Sequence, residues 1–122
     1  MSQSLLSEIH YFRIPVNNLS ESVTWYTERL GFTLRHNSGE LAVMALESGP
    51  LFVLVEADQG SRGHFTIGGQ LEFSVGFTTT DINALHSKFS AQGIQTDEIQ
   101  EDNGHQYFHF FDPSGNKLQV HN

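Results

Sequence analysis

Two short stretches near the end of the chain hold most of the residues that could do chemistry. In YFHFF at 107–111 and NKLQV at 116–120, polar and apolar side chains alternate. Tyr107, His109, Lys117, Gln119 and His121 therefore leave their strands on one face, and Phe108, Phe110, Leu118 and Val120 on the other. His109 beside a carboxylate would act as a general acid or base near neutral pH, whereas alone on a strand it would be a hydrogen-bonded structural residue. Glu56 and Glu72 are the carboxylates considered for such a pair and Tyr107 adds a phenol, so these four are the candidate catalytic groups. Arg13 and Lys117 could bind an anionic substituent, or Arg13 could pair internally with Glu72 or Glu56. His105 and His121 fall near the open end of a hairpin, where a solvated rim is expected. Other chemistries lack their motifs: GxGxxG after a strand, a Walker loop, GxSxG and HExxH do not occur. The absence of cysteine excludes disulfides, thiolate zinc sites and a Cys nucleophile.

The elements that must position these groups follow a repeated grammar. IHYFRIPV at 9–16 predicts a strand with Ile9, Tyr11, Arg13 and Pro15 on one face and Phe12, Ile14 and Val16 on the face that packs against a helix, where His10 also falls. Asn18 is an N-cap with Glu21 three residues on; Leu19, Val23, Tyr26 and Leu30 recur at helical spacing, and Gly31 stops the helix. On that helix Trp25 and Tyr26 are expected to pack against the sheet. Three β-like runs follow, at about 32–36, 41–47 and 51–57, separated by NSG and SGP turns. The second half repeats the order: a strand at 71–79, a helix capped by Asp81 and stopped by Gly93, a strand near 94–99, and a hairpin closed by DPSG. Modules at about 9–57 and 71–121 thus flank a flexible connection at 58–70 that holds four glycines. The fold class expected is α+β, one domain spanning 1–122, with two βαβββ modules curling around a shared concave cavity and helices outside.

With 122 residues, 38% hydrophobic and 16% charged, the chain suits one soluble globular unit with a real core. A formal charge of −8 argues against nucleic acid and anionic membranes as partners. The opening MSQSLLSEIH has neither a basic nor an apolar targeting region, and LFVLV at 51–55 is too short to span a bilayer, so a cytoplasmic location is the default expectation.

IPVNNLSESVTWYTERLGF near the start, VGFTTTDINALHSKFSAQGI in the middle and FHFFDPSGNKLQV at the end resemble the vicinal oxygen chelate superfamily. Its members include glyoxalase I, extradiol dioxygenases, fosfomycin resistance enzymes and bleomycin resistance proteins. The resemblance covers nearly the whole chain. It implies a divalent metal held by four His, Glu or Gln ligands, at positions occupied here by Tyr11, Leu54, Ser74 and Gln119. Only Gln119 could serve as a ligand, so no metal site and no cofactor are expected. His10 lies one residue from a ligand position on the wrong face, and Glu56 keeps the inward face beyond Leu54 or forms a solvated rim.

Alternation outward from those positions gives a ligand-binding set: Tyr11, Arg13, Phe52, Leu54, Glu56, Glu72, Ser74, Tyr107, His109, Lys117 and Gln119. Aromatic surface with separated polar groups suits a small organic molecule. The first functional expectation is therefore a metal-free binding protein like the bleomycin resistance proteins, forming a homodimer, with its modules paired within the chain or between subunits. The alternatives are a lyase, isomerase or dioxygenase-type enzyme using nonstandard ligands or a metal-free acid-base pair, and a module whose cavity its own side chains fill.

Overall fold

The computed structural model describes residues 4–122; the first three, part of the stretch read for a targeting signal, lie outside the described residues. The chain runs β1 (Tyr11–Val16), α1 (Leu19–Leu30), β2 (Thr33–Asn37), β3 (Leu41–Ala45), β4 (Leu51–Glu56), β5 (His64–Ile67) and β6 (Gln70–Phe73). It continues through β7 (Gly76–Thr78), α2 (Ile82–Ala91), β8 (Gln100–Asp102), β9 (His105–Phe111) and β10 (Lys117–His121). Two four-stranded mixed sheets result, ordered β1-β4-β3-β2 and β7-β10-β9-β8, with β5 and β6 as a separate hairpin. The order is the same in both halves, as the repeated grammar requires. Among the described residues no helix is long and apolar enough to cross a membrane.

Helix boundaries follow local chemistry. The Asn18 side chain accepts from Glu21 N at 2.9 Å and the Asp81 side chain from Ala84 N at 3.1 Å, each satisfying a first-turn amide that the helix leaves unpaired. Gly31, with φ 79°, adopts the left-handed conformation that ends α1.

Three expected elements differ. The connection at 58–70 is not merely a flexible linker, because β5 pairs with β6 around Gly68 and Gly69, both at positive φ as a two-residue hairpin turn demands. The strand expected at 71–79 is two strands, and Ser74 and Val75 mark the break between hairpin and sheet. The run at 94–99 makes one isolated bridge, Thr96 to Phe110, in place of a strand.

The core is one cluster drawn from both modules: Ile14, Val16, Phe52 and Leu54 from the first sheet, Phe108, Phe110, Leu118 and Val120 from the second, with Leu19, Tyr26, Ile82 and Phe89 from the helices. Burying each of these large side chains is worth about 1.5–3 kcal/mol. Phe77 joins the modules, with ring centroids 6.0 Å from Phe32, 6.0 Å from Phe52 and 6.1 Å from Phe110. Trp25 packs half-buried at the cluster's margin and Tyr26 is fully buried, as their spacing predicts. Because both helix-covered faces meet in this one core, each sheet's other face is turned away from it. The two sheets do not pair into one curled sheet within the chain.

A polar lock fastens the modules where the DPSG turn meets α1. Asp112 is buried and accepts from Tyr26 Oη (2.7 Å), Ser114 N (2.9 Å), Asn116 N (2.9 Å) and Asn116 Nδ2 (2.8 Å). Asn116, also buried, donates to Pro15 O at 2.8 Å and accepts from Gly63 N at 2.6 Å, while Asn17 N donates to Ser114 Oγ at 2.9 Å. A buried carboxylate is tolerable only with such a donor set. Burial first, and then the neighbouring Asp112 charge, hold the Tyr26 phenol well above its ordinary titration range, so it stays a donor.

Candidate functional site

The backbone register decides which expected site residues share a surface. In the second sheet, β10 pairs with β9 so that Lys117 faces Phe111, Gln119 faces His109 and His121 faces Tyr107. Tyr107, His109, Lys117, Gln119 and His121 therefore stand on the uncovered face, as the alternation predicts. In the first sheet, β1 and β4 pair in parallel with Phe12 beside Phe52, Ile14 beside Leu54 and Val16 beside Glu56. This corrects the expected placement of Phe52, Leu54 and Glu56: all three lie on the helix side, opposite Tyr11 and Arg13. Phe52 and Leu54 are core residues, and the Glu56 carboxylate accepts from Leu19 N at 3.0 Å, serving the N-terminus of α1. The uncovered face of the first sheet carries Tyr11, Arg13, Leu41, Val43, Leu51, Val53 and Val55.

Glu72 and Ser74 depart from the expected cavity as well. Glu72 sits in the hairpin opposite Phe65, and Ser74 is exposed in the break after β6. The residue this segment brings to the second sheet is Phe73, whose ring lies 5.6 Å from that of His109. Lys117 Nζ donates to Leu71 O at 2.9 Å and Lys117 N to His64 Nδ1 at 2.9 Å, so Lys117 holds the hairpin against the sheet. Arg13 has neither expected carboxylate beside it: among the described residues the one ion pair is between His109 and Asp97. His10 precedes β1 and is exposed, with its ring edge-on to Tyr11 at 5.4 Å.

The register also tests the metal site that the resemblance implies. Gly76 pairs with Gln119 as Arg13 pairs with Val53, so the equivalent of Gln119 in the first module is Val53 and not Leu54. The four positions hold Tyr11, Val53, Ser74 and Gln119. A phenol, an isopropyl group, a hydroxyl and an amide do not make a divalent-metal donor set. Among the described residues no group of three or more His, Cys, Asp or Glu could hold a metal ion.

Asp97 is the site residue that sequence reasoning missed. Its carboxylate binds His109 twice, accepting from His109 N at 2.6 Å and lying 2.8 Å from His109 Nδ1; Gln100 Nε2 donates to it at 3.0 Å. The arrangement replaces ordinary strand pairing: Asp97 N donates to His109 O at 3.0 Å, but the return bond from His109 N goes to the Asp97 side chain. The freed Asp97 carbonyl lies 2.8 Å from His86 Nε2 on α2 and accepts from it. The Thr96–Phe110 bridge continued by one residue sets Asp97 opposite His109, and register then shifts by one before the Gln100–Tyr107 pair, a bulge that follows Asp97. The bulge also explains why 94–99 forms no regular strand. Pairing 94–99 antiparallel with 107–111 in the sequence would have set Asp97 beside His109, had the register been known.

Two open clefts of about 270 Å³ each lie elsewhere, at the seam between modules; one is bordered by Phe32, Phe77, Leu85 and Phe89 together with the charged Glu28, Arg29 and Lys88, the other by Phe12, Phe32, Phe52 and Phe77. They are alternatives to the open face of the second sheet.

The chain is similar throughout to solved structures. It shares 19% identity with TnmS3, an antibiotic binding protein from Streptomyces sp. CB03234, at a TM-score of 0.77 with 97% of each chain covered. A lactoylglutathione lyase from Agrobacterium tumefaciens is 16% identical at a TM-score of 0.74, over 97% of this chain and 95% of that one. A glyoxalase family protein from Enterococcus faecalis is 23% identical at a TM-score of 0.74, over 98% of this chain and 100% of that one. At such identities these likenesses establish the fold alone. No relative was found among curated proteins. A family model described as Glyoxalase/Bleomycin resistance protein/Dioxygenase superfamily matches residues 8–120, and with the two βαβββ modules already described the chain belongs to that superfamily.

Proposed function

We propose that this protein binds a small organic molecule against the open face of its second sheet, without the metal site of its superfamily. The observation that carries the proposal is the make-up of that face: Tyr107, His109, Gln119 and the overlying Phe73 combine aromatic surface with a few polar groups, as small-molecule sites do. Tyr11, Val53, Ser74 and Gln119, at the positions where metal-using members carry ligands, support a metal-free mode. The antibiotic binding protein among the similar structures is consistent with sequestration, although it lends only its fold.

Each open face is half of a cavity. The first sheet's uncovered face is largely aliphatic, with Val53 only 6% exposed while Tyr11 is 55% exposed. Covering that face with the second sheet of a partner copy would close a groove around the ligand, so a homodimer is part of the proposal.

An enzyme reading has one observation in its favour, the carboxylate-paired His109. It then draws on His109 and Tyr107, since Glu56 is committed to α1 and Glu72 to the hairpin. Native mass spectrometry of the purified protein, with and without a chelator, tests the proposal. Retention of an organic molecule unaffected by chelation supports it; a stoichiometric divalent metal whose removal releases that molecule refutes it.

A further inference from the structure

We infer that His109 presents a hydrogen-bond acceptor to the ligand, and that Asp97 is the positioning residue that makes it one. The inference rests on the binding proposal and names its ligand class: a flat aromatic compound carrying a hydroxyl donor. A carboxylate can only accept, so the 2.8 Å contact between Asp97 Oδ2 and His109 Nδ1 requires the proton on Nδ1. In the neutral ring Nε2 then carries a lone pair; it bonds to no described residue and is not among the buried unpartnered atoms, so it is open to a ligand. The ring is held from several sides. His109 N pins Asp97 Oδ1 at 2.6 Å, Gln100 Nε2 pins Oδ2 at 3.0 Å, and His86 anchors the Asp97 carbonyl to α2. Phe73 at 5.6 Å and Tyr107 at 5.8 Å flank the imidazole, and Gln119 stands across the ladder from it. Aromatic surface beside a fixed acceptor selects an aromatic hydroxyl over its methyl ether, because the ether displaces water from the Nε2 lone pair without replacing its hydrogen bond.

Asp97 gives the inference a signature that a structural role would not produce. In Asp97→Asn, His109 N still demands an oxygen at the Oδ1 position, which places the introduced NH₂ against Nδ1. That nitrogen now donates, Nδ1 must accept, and the ring proton moves to Nε2. The acceptor offered to the ligand becomes a donor, and Gln100 can turn its amide to suit.

The test uses the full chain, ¹⁵N-labelled on histidine, with 2-naphthol, 2-methoxynaphthalene and 1,4-naphthoquinone as probes. Long-range proton–nitrogen spectra read the tautomer without any ligand: an unprotonated Nε2 in the wild type, and a protonated one in Asp97→Asn, are expected. Binding should favour 2-naphthol over its methyl ether by about tenfold, a typical return for one added hydrogen bond. His109→Phe should abolish that preference while still binding naphthalene rings, and Asp97→Asn should shift preference toward the quinone. A wild-type ring protonated on Nε2, or equal affinity for naphthol and ether, overturns the inference while leaving the binding proposal standing. Failure of all three probes to perturb any residue of the open face, with the expected tautomer present, instead counts against the binding proposal and the ligand class together.

Discussion

Replacing Asn116 by Ala should unlock the two modules at a cost that can be worked out from its partners. Its side chain is fully buried and makes three hydrogen bonds: from Gly63 N at 2.6 Å, to Pro15 O at 2.8 Å, and to the Asp112 carboxylate at 2.8 Å. The two bonds to neutral backbone are worth about 1 kcal/mol each, and the bond to the buried carboxylate about 1.5–3 kcal/mol. Gly63 and Pro15 are only half-buried, so water recovers part of the first two terms. Asp112 keeps Tyr26 Oη and two backbone amides. The net expectation is about 3–4 kcal/mol, read in urea as a lowered midpoint at unchanged slope. Asn116→Asp should be at least as costly at neutral pH, since it sets a second carboxylate against Asp112, and should recover as acid protonates the pair. A loss below about 1 kcal/mol for Asn116→Ala would refute the view that this asparagine, and not the apolar core alone, fixes one module against the other.

Other consequences can be checked separately. Ser22 on α1 is buried with its hydroxyl unpartnered, so Ser22→Ala should stabilise by about 0.5–1.5 kcal/mol in the same unfolding assay; destabilisation would mean that the hydroxyl has a partner. His64 Nδ1 must be unprotonated to accept from Lys117 N, and burial first, then the charges of Arg62 and Lys117, lower its pKa against a weaker opposing pull from Asp112. A lowered histidine pKa contributes stability that is complete above the unfolded value of about 6.5 and is lost as pH falls through the folded value. Amide protection in β5 and β6, corrected for the slower intrinsic exchange in acid, should therefore fall selectively on acidification; His64→Gln should remove that dependence, and a flat protection profile in the wild type would contradict it.

The two-module order, both helices and their caps were legible because capping side chains, apolar spacing and terminal glycines act locally. The open face of the second sheet was legible too, since KLQVH and YFHFF alternate polar with apolar. LFVLV does not alternate: Leu51, Val53 and Val55 are apolar on the open side while Phe52 and Leu54 are apolar in the core. A strand apolar on both faces has no two-residue period to read, and the expected face came out one residue wrong. Glycines at 68 and 69 read in the sequence as part of a flexible connection, and only the pairing of β5 with β6 shows them to be a tight turn. Asp97 stayed invisible because its role depends on the register between two segments, which is a property of their pairing and not of either alone.

The most direct test of the account is amide shift mapping with 2-naphthol in the presence of a chelator. Perturbations should centre on Phe73, Tyr107, His109 and Gln119, and should be the same with or without chelation. Perturbations centred on Phe32, Phe77 and Phe89 at the seam between modules, or a response that vanishes when metal is removed, would contradict a metal-free site on the open face of the second sheet.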